Sequence, residues 1–106
     1  MAENDNKKVQ ELQLFEHTLQ NLNMQKQAVQ IEMNEIENAL NEVKKSGSEV
    51  YKVMGNIMVK SERNSLISEL EEKKKLSGMK IEAYEKQEKI VEDKIGKLRK
   101  EISALI

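Results

Sequence analysis

The sequence predicts a mainly α fold: a long antiparallel two-helix coiled coil with one β-hairpin between its helices. Three observations carry this. Only 38% of the 106 residues are hydrophobic, 35% are charged, and the aromatics are Phe15, Tyr51 and Tyr84 alone. That composition suits helices joined along a narrow apolar seam better than a two-layer globule. Apolar residues recur at alternating steps of three and four in two long runs, and a short β-branched segment separates the runs. Low hydropathy also marks disordered chains, but the net charge is only −1 and the apolar pattern is strongly periodic.

The first run reads Leu12, Phe15, Leu19, Leu22, Lys26, Val29, Met33, Ile36, Leu40, Val43, interrupted only by Lys26. It predicts helix 1 over 8–45. Gly47, following Lys44 and Lys45, is read as the stop signal. The intervening segment, 50–60, contains Val50, Tyr51, Val53, Ile57 and Val59 around Gly55-Asn56, a dipeptide able to take the positive φ angles of a two-residue turn. Two strands of about five residues are expected there. The second run predicts helix 2 over 64–106, with Asn64 as N-cap. Its seam is Ile67, Leu70, Lys74, Ser77, Ile81, Tyr84, Glu88, Val91, Ile95, Leu98, Ile102, Leu105. Gly78 and Gly96 each cost about 1 kcal/mol relative to alanine; Gly78 is read as a soft spot in a continuous helix, a break at Ser77-Gly78 being the alternative.

The runs fit one another when paired antiparallel with residue numbers adding to about 110, a register centred on Gly55. Val43 then meets Ile67, Leu40 meets Leu70, Val29 meets Ile81, Leu19 meets Val91, Phe15 meets Ile95 and Leu12 meets Leu98. Lys26 falls near Tyr84, as a register or specificity device. A register one heptad away is also compatible with the pattern. The whole chain, 1–106, is read as a single domain.

Two surfaces follow. The hairpin is apolar on both sides, so Val50, Met54, Ile57 and Val59 cannot all face two thin helices, and its unpaired edges invite other strands. Assembly through Val50, Tyr51, Val53, Ile57, Met58 and Val59 is the expected way to bury it. At the other end, Ile102 and Leu105 sit opposite Lys8 and Asp5, with Ile106 beyond. That excess of apolar side chains reads as a contact site, with frayed termini as the plain alternative.

Catalytic chemistry finds no footing. Cysteine is absent, which removes thiol catalysis and thiolate metal sites and fits a reducing compartment. His17 is the single histidine and falls opposite the seam. The pairs Glu71-Glu72 and Glu32 with Glu35 read as solvated helix faces, and Lys73-Lys74-Lys75 is balanced by its acidic neighbours. The four glycines are scattered, so no phosphate loop forms. No enzyme, cofactor or metal site is expected. With no membrane-spanning stretch, a polar Met1 to Gln10 and no basic field for nucleic acid, a cytoplasmic protein is expected.

Val50-Tyr51-Lys52-Val53-Met54-Gly55 followed by Ile57-Met58-Val59-Lys60 resembles the V-Y-K-x-x-G-x-x-x-V-K stretch of prefoldin β-type subunits. Glu85-Lys86-Gln87-Glu88-Lys89 is similar to the E-x-Q-E-K piece in the second helix of archaeal members. The resemblance covers nearly the whole chain, and one hairpin rather than two marks the β-type. It implies an ATP-independent chaperone subunit in a hetero-hexamer of two α-type and four β-type copies. The hairpins would join into a body of β-barrels, and unfolded polypeptide clients would be held at the coiled-coil tips and passed to a group II chaperonin. The tip would use Leu12, Leu14 and Phe15 from helix 1 and Leu98, Ile102, Leu105 and Ile106 from helix 2. A coil of about 32 residues is roughly 48 Å long, and several arms holding one client gain avidity without sequence preference. Met24, Ile31 and Met79, on the outer heptad face, are conceivable secondary contacts. The competing function is a structural coiled-coil scaffold or dimerisation module, which needs neither hairpin nor apolar tip.

Overall fold

A computed structural model describes residues 2–47 and 49–105, with side chains described from Asp5 onward. The element order is α1 (Ala2–Lys45), β1 (Val50–Met54), β2 (Ile57–Ser61), α2 (Arg63–Ala104). The chain divides into two compact units: residues 1–28 with 81–106, and residues 29–80.

In the second unit, α1 and α2 run antiparallel, and the strands form one antiparallel sheet with Val53 opposite Met58 and Met54 opposite Ile57. The two five-residue strands fall on the expected segment, with β2 running one residue beyond it to Ser61. Gly55 turns the chain at φ +62°, and among the described residues it alone has a positive φ. Asn56 therefore does not share the left-handed conformation expected of both turn residues; a turn with glycine first and only that residue left-handed is the II′ arrangement. Gly47 stops α1 without the left-handed cap its position suggested. Instead, α1 ends on hydrogen bonds. Ser46 Oγ donates to the Val43 carbonyl at 2.8 Å, and Arg63 donates from Nε to Val43 O (3.1 Å) and from Nη2 to Lys44 O (2.7 Å). A guanidinium at a helix C-terminus also opposes the dipole favourably.

Helix α2 starts one residue earlier than expected, and its cap is Glu62 rather than Asn64. Glu62 accepts from the backbone N–H of Ser65 (2.8 Å) and of Asn64 (3.0 Å). These bonds, Ser65's first, hold its carboxyl below the usual range. Glu62 is the lone residue between β2 and α2, so its carboxylate is placed to fold back on the first turn. Helix α1 starts at Ala2, not Lys8, and so runs more than two turns beyond the first seam residue, Leu12. Helix α2 passes through Gly78 without a break and ends at Ala104, not 106. Met33 Cε lies 3.8 Å from where a Cβ on Gly78 would stand, so the methionine covers the space left by the missing side chain.

All ten first-run seam residues are half-buried or buried, and so are the second-run residues from Ile67 to Ile102. Leu40, Val50 and Leu66 are buried in one unit, Ile95 and Leu98 in the other. Gly78 faces Met33, Lys74 pairs with Glu37, and Asn23 bonds Glu88. Each of these pairs adds to 111, one residue from the expected register and far from a heptad shift.

Candidate interaction surfaces

Side chains alternate between the faces of a strand, so the hairpin has two faces. Lys52 identifies the one turned towards α2: its Nζ lies 2.6 Å from Glu69 Oε1, and Lys73 adds a second, longer contact at 3.6 Å. The Lys52 hydrogen bond, ahead of an opposing burial effect, holds the Glu69 carboxyl below its usual range. This face also carries Val50, Met54, Ile57 and Val59. Val50, at the root, is buried at 7%, yet Met54 and Ile57 remain 58% and 65% exposed. The opposite face carries Tyr51, Val53 and Met58, with Val53 and Met58 at 66% and 68%. The helices of this unit therefore cover the root of the hairpin and leave both faces near its turn open. Among the described residues neither strand edge has a further partner strand in this two-stranded sheet.

The first unit brings together the other expected residues. Leu12 and Phe15 are half-buried in the seam, Leu98 is buried, and Ile102 is half-buried. Leu14 and Leu105 are exposed; Ile106 lies outside the described residues. Phe15 and Leu98 line a groove of about 340 Å³ with Glu11, Lys94, Lys97 and Glu101. Lys94 stands 5.6 Å from the Phe15 ring centroid, within cation–π range. Arg99 is paired with Glu16 at 2.9 Å, and Lys8 with Glu101 at 3.7 Å. Exposed ion pairs of this kind add little stability; Glu101, with Glu11, Lys94 and Lys97, surrounds Phe15 and Leu98 with charged groups in the groove. Met24, Ile31 and Met79 are exposed as the heptad count placed them, joined by Leu76 and Ile90, which the count did not single out.

The seam of the same unit holds a polar layer. The side chain of Lys26 reaches Glu88, with Nζ 2.9 Å from Oε1. That contact is a close charge pair rather than a well-aimed hydrogen bond, since Oε1 is buried and accepts no directed bond. Asn23 Nδ2 donates to Glu88 Oε2 at 3.3 Å, and Gln27 in turn donates to Asn23 at 3.0 Å. The ammonium of Lys26 lowers the Glu88 carboxyl despite its burial, with Asn23 assisting; Glu88 likewise raises Lys26. His17 is exposed. No group of His, Cys, Asp and Glu among the described residues could hold a metal ion. No helix among them is long and apolar enough to cross a membrane.

Comparison with known proteins gives the same architecture. Residues 6–106 match the family model described as prefoldin subunit. The chain is 33% identical over 98 residues to the prefoldin subunit beta of Thermococcus onnurineus, covering 91% of this chain and 84% of that protein. It is 36% identical over 87 residues to that of Pyrobaculum islandicum, covering 80% and 70% respectively. The crystal structure of the prefoldin beta subunit from Thermococcus strain KS-1 superimposes with a TM-score of 0.90 at 30% identity, covering 96% of this chain and 91% of that one. With two long helices, a single hairpin between them in the chain and these likenesses, the chain belongs to the prefoldin beta subunit family, a family of chaperone subunits.

Proposed function

We propose that the chain is an ATP-independent holdase subunit of the cytoplasm, a single prefoldin-type domain that acts without a cofactor inside a hexamer of two α-type and four β-type subunits. The observation that carries this reading is the hairpin, whose apolar side chains stay exposed on both faces in a chain of this family. Exposed apolar patches of this kind on a strand pair mark an assembly surface. Tyr51, Val53, Ile57, Met58 and Val59 would make the subunit contacts, with Val50 anchoring the hairpin root. Unfolded polypeptides would be held at the end of the first unit. Leu14 and Leu105 are exposed there, Leu12, Phe15 and Ile102 are within reach of a client, and Leu98 is the buried floor; Ile106 extends the same apolar end in sequence. The client would then pass to a group II chaperonin. Neither nucleic acid nor membrane has a part in this cycle.

Mixing the chain with an α-type prefoldin subunit should give a hexamer in native mass spectrometry. A monomer or simple dimer under every mixing condition would instead favour a plain coiled-coil module. Deleting Ile102 to Ile106 should leave that hexamer intact and weaken its suppression of aggregation by a chemically unfolded client. Full suppression by the shortened chain would remove the tip from the mechanism.

A further inference from the structure

Asp5 and Val9 stand one turn apart on α1, and Ile102 and Leu105 one turn apart at the end of α2, where the Leu105 N–H donates to the Ile102 carbonyl at 3.1 Å. These four residues line a cavity of about 180 Å³ in the first unit. It is smaller than sites for drug-sized ligands and matches a single branched aliphatic side chain. Val9, Ile102 and Leu105 make its wall apolar. The remaining wall is Asp5, whose Oδ1 is shut off from solvent and accepts no hydrogen bond. Lys8, on the same helix, is directed to Glu101. The first turn of a helix favours a carboxylate through the dipole. That accounts for an acid at this position, but not for an oxygen shielded from water with no donor, which is costly.

We propose that this pocket accepts an apolar client side chain whose immediate neighbour is lysine or arginine, the cation closing onto Asp5. The inference rests on the client-holding reading above and adds a selectivity to it. The apolar walls supply attraction that is indifferent to sequence, while the Asp5 carboxylate discriminates, because a cation brought beside it is attracted and can take up its hydrogen-bonding capacity once the side chain turns, whereas a second carboxylate would be repelled. Segments of this type are common in the chains a holdase meets, since aggregation-prone apolar stretches are flanked by charged gatekeepers. Basic gatekeepers would be engaged together with the stretch they guard.

The test is equilibrium binding of short fluorescent unstructured peptides to the full chain and to its Asp5→Asn variant, each with its α-type partner present. The peptides carry paired leucines followed by lysine, glutamine or glutamate, and a control carries lysine without leucine. The lysine–leucine peptide should bind about tenfold more tightly than the glutamate one, the ratio expected from one charge-assisted hydrogen bond. In Asp5→Asn that ratio should fall towards one while the glutamine peptide binds as before. Equal binding of all three leucine peptides to the unaltered chain would overturn the selectivity and leave the holdase reading standing. So would a lysine preference that survives in Asp5→Asn, or a control that binds as well as the leucine peptides. If no peptide binds at all while the hexamer still suppresses aggregation of a whole unfolded client, the pocket's role falls and the holdase reading stands; if suppression is absent as well, the holdase reading falls with it.

Discussion

Replacing Val53 and Ile57 together by glutamate is expected to abolish the proposed hexamer while leaving the helices folded. Both side chains are about two-thirds exposed in the isolated chain, so their replacement removes little intrachain packing and far-UV circular dichroism should be unchanged. In the assembled state each carboxylate would have to enter an apolar interface, and an unpaired charge there costs several kcal/mol. Since 1.4 kcal/mol is a factor of ten in affinity, assembly should weaken by at least about 100-fold, readable in native mass spectrometry at dilute concentration. The pair also separates the two faces, because Val53 lies opposite Met58 on the outer face and Ile57 opposite Met54 on the face turned towards α2. Single substitutions therefore show which face the neighbouring subunit covers. Val53→Thr, polar but strand-forming, should weaken assembly far less than Val53→Glu. A normal hexamer from the doubly charged chain would refute the role given to the hairpin.

How far such features were legible in the sequence depended on whether they leave a periodic trace. The seam did: every residue from Leu12 to Val43 predicted to face the partner helix is half-buried or buried, because steps of three and four reflect helix geometry directly. The strands were equally plain from β-branched residues around Gly55. The capping of α2 was not, since glutamate is an uncommon N-cap and Asn64 a preferred one. Only the single-residue connection after β2 places the Glu62 carboxylate over the first turn. Arg63 binding the α1 carbonyls has no sequence signature at all, as it depends on where the hairpin returns the chain. The same holds for Asp5, which shares a pocket with Val9 and with two residues of the end of α2. Lys26 and Glu88 were visible as polar seam positions, but their pairing was not, because a flexible lysine spans more than one turn and counting does not say which acid it reaches.

That polar layer yields the second large effect. Glu88 is 7% exposed, and substituting Glu88→Gln should destabilise the chain by about 1–3 kcal/mol at neutral pH, the usual cost of leaving a polar group in a shielded site without its partner, here the Lys26 ammonium without its counter-charge. The pH dependence gives the assignment. The folded carboxyl of Glu88 is held below its ordinary range by Lys26. Its stabilisation is therefore fully present above the unfolded carboxylate range and is lost as pH falls through the lower folded value. Lys26, raised by Glu88, behaves oppositely: its contribution holds below the ordinary lysine range and disappears as pH rises through the raised value. Thermal midpoints of the unaltered chain should thus be flat near neutrality and fall on acidification, with Glu62 and Glu69 adding to the fall because both are also lowered. Glu88→Gln should fall less steeply by one group. Lys26→Met alone strands the buried carboxylate beside Asn23 and should destabilise more than Lys26→Met combined with Glu88→Leu, because a well-packed apolar replacement of an ion pair is often neutral or better. If the single and double variants melt alike, the ion pair does not hold the seam. A double variant that regains stability but populates additional oligomers would show the layer acting to select one register rather than to add strength, the role a polar residue plays in a coiled-coil seam.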